Sequence, residues 1–70
     1  MYKIDARQHV EGMAQVLRAQ ESPIRCQAVM AILRRWQFDE MLDDASRTEA
    51  RMLVCEFSWK VPTSAPQLAR

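Results

Sequence analysis

The chain has 70 residues, of which 49% are hydrophobic and 27% charged, with one glycine and three prolines; this balance excludes a disordered, collagen-like or loop-dominated polypeptide and bounds the answer at one small domain. A net charge of +1 provides no overall attraction to nucleic acid or anionic lipid. No segment approaches the ~18 to 20 uninterrupted apolar residues of a membrane span or the apolar run of a signal peptide, so the expected location is the cytoplasm.

Residues 1–7 admit two readings. Asp5 followed by Gln8 has the form of a capping box, which would open a helix at Ala6 with Val10, Met13 and Leu17 on its inner face. Tyr2, Ile4 and Ala6 also alternate with Lys3, Asp5 and Arg7, the period of a short half-buried strand. Gly12 falls inside the helical pattern, where glycine costs up to about 1 kcal/mol relative to alanine. A close helix crossing at that point is the expected compensation.

The first helix should stop near Glu21, because Ser22-Pro23 reads as an N-cap followed by proline at the first helical position. The second helix then contains Ala28-Val29-Met30-Ala31-Ile32-Leu33, apolar at every position. At about 3.6 residues per turn such a run covers the whole circumference, so the helix should be covered on more than one side. In a chain this short the cover is expected to come partly from a second copy.

Neither Gly nor Pro interrupts residues 24–61, so any joint there must be inferred from charge. Arg34 and Arg35 suit the negative end of a helix, and Asp39 and Glu40 the positive start of another, which places a joint around Gln37 and Phe38. A rival joint is Ser46, with Glu49 completing a second capping box. Beyond it, Phe38, Met41, Ala45, Thr48, Met52, Cys55 and Trp59 follow steps of three and four, the spacing of a coiled-coil seam, with Ala50, Leu53, Val54 and Phe57 as a second stripe beside it. Pro62 and Pro66 end helical structure and begin a tail over 62–70 that is expected to be flexible.

Residues 1–38 carry three net positive charges, residues 39–44 four negative, and residues 45–70 two positive. In the acidic block, Asp39 with Asp43 and Glu40 with Asp44 have helical spacing, so the expectation is two carboxylate ridges, either a solvated, capping face or a docking surface for a basic protein patch. Enzymatic chemistry has little to draw on. There is one histidine, His9, expected at the surface, and no nucleophile elbow, zinc-protease motif or phosphate loop. Cys26 and Cys55 are far apart and lack a C-x-x-C spacing, which suggests two buried, reduced thiols. No metal, cofactor or small-molecule substrate is expected.

The expected fold is an all-α bundle of two to three helices per chain, spanning residues 1–61 and completed by homodimerisation. Val29, Met30, Leu33, Trp36, Met52 and Trp59 are the expected dimer interface. The expected function is a non-enzymatic, protein-binding regulator or inhibitor that occupies a surface on a larger protein through Arg34, Arg35, Asp39, Glu40, Asp43 and Asp44. Short single-domain proteins of this kind suit a phage or plasmid origin. The alternative is a dimeric ribbon-helix-helix DNA-binding regulator, with Lys3, Asp5 and Arg7 on a strand facing DNA; an aspartate at a reading position and the low net charge weigh against it.

Overall fold

The structure is a computed structural model that describes residues 2–60. It is a three-helix bundle: α1 (Arg7–Ala19), α2 (Pro23–Trp36) and α3 (Asp44–Phe57), with each helix packed on the other two. The expected tail over 62–70 lies outside the described residues.

Local signals account for most helix ends. Ser22 accepts a hydrogen bond from the Arg25 N–H at 3.2 Å and Pro23 occupies the first helical position, so α2 begins where the sequence places it. The turn before it is made by Gln20, which enters the left-handed region at φ 52° and donates its N–H to the Val16 carbonyl at 3.1 Å. At the other end of α2, Arg34 and Arg35 occupy the last turn, where their charge favours the carbonyl end of the helix.

Two boundaries differ from expectation. No capping box opens α1: its N-cap is Ala6, without a side-chain cap, and the Asp5 carboxylate instead accepts from the Arg7 N–H at 3.1 Å. Residues 2–6 form no strand; Ile4 makes an isolated parallel bridge to Leu42. The second joint is neither Gln37-Phe38 alone nor Ser46 but a seven-residue connector over 37–43. Asp43 caps α3 by accepting the Ser46 N–H at 2.8 Å, which puts Ser46 inside the first turn.

The core is built from one repeated spacing. Val10, Ala14 and Leu17 of α1, Cys26, Met30 and Leu33 of α2, and Ala50, Leu53 and Phe57 of α3 each fall at i, i+4 (or i+3) and i+7, and all are buried together. Met13, Val29, Trp36 and Val54 pack at its edge. In α3 it is therefore the second apolar stripe that turns inward. The seven-residue seam faces away from the core, and Phe38, Met41, Ala45, Thr48, Met52, Cys55 and Trp59 are all exposed. Cys55 is thus a surface thiol rather than a buried one, while Cys26 is buried; both are free.

Gly12 also departs from expectation. It lies on the exposed side of α1, and an added Cβ would meet nothing within 4 Å, so no close helix crossing compensates for it. Gly12→Ala should therefore stabilise the bundle by up to about 1 kcal/mol. In thermal unfolding followed by circular dichroism this would appear as a Tm raised by about 4 to 8 °C; an unchanged or lowered Tm would mean that the glycine serves a contact the fold does not display.

Candidate interaction surface

The start of α1, the end of α2 and the start of α3 meet at one end of the bundle, where residues 2–6 and the connector pair with each other. The Ile4 N–H donates to the Met41 carbonyl at 2.7 Å, and the Asp43 N–H donates to the Ile4 carbonyl at 2.8 Å. Lys3 Nζ adds a hydrogen bond to the Glu40 carbonyl at 2.6 Å. The connector is further folded on itself. Asp39 Oδ1 accepts the Met41 N–H at 2.9 Å, and the Leu42 N–H reaches the Asp39 carbonyl at 3.1 Å. This tethering buries Leu42 and Ala6 and leaves Tyr2, Ile4, Phe38 and Met41 outward, with Phe38 73% exposed.

Ser46 carries the link to α3. It is fully buried, its Oγ accepts the Ala6 N–H at 2.8 Å, and so it supplies the acceptor that the uncapped start of α1 lacks. Next to it, two hydrogen bonds from the Arg7 side chain, at 2.8 and 3.0 Å, hold the Asp5 carboxyl down to about 2. The Arg7 pKa rises in return, chiefly through the same hydrogen bonds.

The six charged residues expected to meet a partner are all found at this end, but their states differ. Asp39 to Asp43 is not helical, so the two carboxylate ridges do not form. Asp39 closes the connector turn, Asp43 caps α3 and Asp44 pairs with Arg47. Glu40 makes no side-chain hydrogen bond, and Arg34 and Arg35 make no ion pair, among the described residues. These three charges are the ones left to the outside. Beside them, Ile32, Arg35, Trp36 and Asp39 line a shallow depression. Trp36 is half-buried there with its ring edge-to-face to His9, centroids 6.4 Å apart.

The residues expected at a dimer interface separate into two groups. Met30 and Leu33 are wholly inside the protomer's own core and have no surface to offer another chain, while Val29 and Trp36 are half-buried against it. Met52 and Trp59, 64% and 76% exposed, remain outside. The apolar run of α2 is covered by the protomer on one side, and its outward positions are Ala28, Ala31 and Ile32, the last 40% exposed.

Among the described residues no group of three or more His, Cys, Asp or Glu side chains could hold a metal ion, and no helix is long and apolar enough to cross a membrane. The feature that periodicity missed is that Tyr2, Ile4, Phe38 and Met41, on the two paired segments, are all exposed. Phe38 and Met41 stand at helical spacing from each other and from Ala45, so periodicity read them as the start of the seam instead. No family model matches the chain, and neither a curated protein nor a solved structure does.

Proposed function

We propose that this chain is a small, non-enzymatic protein-binding regulator or inhibitor that docks on a larger protein through the connector end of its bundle. The observation that carries the reading is the composition of that end. Four of the eight large apolar side chains exposed on the described chain, Tyr2, Ile4, Phe38 and Met41, lie on the two segments that one backbone pairing joins, with Arg34, Arg35 and Glu40 uncompensated at the same end. Aromatic, methionine and arginine side chains are the types enriched at protein interfaces, and an apolar centre with a charged rim is the usual anatomy of such a contact. The backbone beneath is hydrogen-bonded between residues 2–6 and the connector, so the surface is held in shape before binding and less ordering is needed on contact. His9, the one imidazole, has Trp36 as its ring partner and no second histidine to work with.

Self-association through outward apolar residues is part of the same proposal, as is a cytoplasmic location, where two unpaired thiols stay reduced. The DNA-binding alternative draws on the helix lengths and on the extended residues before α1. It would need the strand to pair with another chain and Lys3, Asp5 and Arg7 to be free for DNA. Here the Ile4 N–H and carbonyl are both taken within the chain, Lys3 reaches Glu40, and Asp5 is paired with Arg7.

Affinity purification from the native host tests the choice. The double variant Phe38→Asp, Met41→Asp should keep its helical circular dichroism and lose a protein that co-purifies with the unaltered chain. Recovery of nucleic acid without protein, released by Lys3→Ala and Arg7→Ala, would overturn the reading in favour of the alternative.

A further inference from the structure

We infer that the outward stripe of α3, Ala45, Thr48, Met52 and Cys55, continued by Trp59 in the turn after it, is the contact between two copies of this chain, laid side by side in parallel. The inference rests on the self-association proposed above and assigns it a face and a direction. The stripe keeps the three-four spacing of a coiled-coil seam and points away from the core stripe Ser46, Ala50, Leu53 and Phe57. Its two largest members are also among the most exposed apolar side chains of the described chain.

Charge selects the occupant and its direction. Glu49 and Glu56 flank the stripe on one side and Asp44 and Arg51 on the other. A parallel second copy sets Arg51 of each chain beside Glu56 of the other, twice over by symmetry. It also sets Asp44 near Glu49, but Asp44 is already paired with Arg47, which offsets that repulsion. An antiparallel copy would bring the glutamate flanks together and set Arg51 against an Asp44 already held by Arg47, which weakens that attraction. The competing face on α2 fails by the same reasoning. Its outward positions Ile24, Ala28, Ala31 and Ile32 are accompanied by Arg25, Arg34 and Arg35, and the helix contains no acidic residue, so two copies meeting there would set arginine against arginine.

In the parallel arrangement the two Cys55 thiols occupy facing positions of the seam, which supplies the test. Sedimentation of the full chain across the micromolar range should show a monomer–dimer equilibrium, weakened roughly tenfold or more by Met52→Glu, with helical circular dichroism unchanged because Met52 lies outside the core. Mild oxidation with diamide should link the dimer through Cys55. Cys55→Ser should abolish the link, and a cysteine placed at exposed Glu11 in that background should cross-link far more slowly. A dimer indifferent to Met52→Glu, or equal cross-linking rates at the two sites, would overturn this face and leave self-association standing. A monomer at every concentration would overturn both.

Discussion

Phe57→Ala is expected to unfold most of the chain at room temperature. Phe57 is the largest fully buried side chain, 2% exposed, and closes the core at the end of α3, where the i, i+4, i+7 stripes of α1 and α2 converge on it. Removing a buried phenylalanine costs about 3 to 5 kcal/mol through lost transfer energy and the cavity left behind. A domain of this length has a total stability of only about 3 to 10 kcal/mol at ordinary values per residue, so the loss consumes much or all of it. Lys60, whose Nζ lies 5.2 Å from the ring centroid and which also approaches Trp59, covers the ring from outside and would lose that contact as well. Urea titration followed at the helical circular dichroism band reads the effect directly. Phe57→Leu, which keeps most of the volume, should lower the midpoint modestly and leave a cooperative transition. A Phe57→Ala midpoint lowered no further than that of Phe57→Leu would mean that the three stripes do not share one core.

Much of this bundle was legible in the residues. Ser22-Pro23 placed the start of α2 because each residue has a local reason to be there, an oxygen for an orphan N–H and a ring that needs no N–H. Val10 and Leu17 announced the inner face of α1 for a similar reason, since only apolar residues recur at that spacing in an otherwise polar segment. In α3 the same logic chose the wrong stripe. The seam from Phe38 to Trp59 holds larger apolar side chains than the beginning of the true inner stripe, which starts at Ser46 and Ala50, so spacing and size together pointed outward. Periodicity cannot weigh a buried hydroxyl whose partner is forty residues away. Nor could it choose among four adjacent acids for the helix cap, because Asp39, Asp43 and Asp44 can all accept backbone N–H groups and only the pairing of residues 2–6 with the connector decides which one does. At the interaction surface, the charged residues were found from their clustering. The apolar centre at Phe38 and Met41 was assigned instead to the start of the seam running to Trp59, a helix that begins only at Asp44.

Ser46→Ala should show what that distant hydroxyl does. The substitution removes the acceptor of the buried Ala6 N–H, 2.8 Å from Ser46 Oγ, and nothing else at the site can replace it, because Ala6 is the N-cap of α1 and makes no side-chain cap of its own. Leaving a buried donor unsatisfied costs about 1 to 3 kcal/mol, which for a domain of this size shifts the Tm downward by roughly 4 °C or more. The loss should be uneven along the chain. Hydrogen exchange should accelerate first at Ala6, Ile4 and Asp43, whose backbone bonds tie residues 2–6 to the connector, while Leu17, Met30 and Leu33 in the core exchange only with global unfolding. Ser46→Thr, which restores the oxygen, should recover protection at Ala6 in so far as the extra methyl group is accommodated. Because the connector surface is shaped by this tether, loosening it should also weaken any partner held at Phe38 and Met41, even though Ser46 itself is fully buried and touches no solvent. Uniform destabilisation with no local change at residues 4–6 would mean that the hydroxyl only fills space, and that the connector end keeps its shape without it.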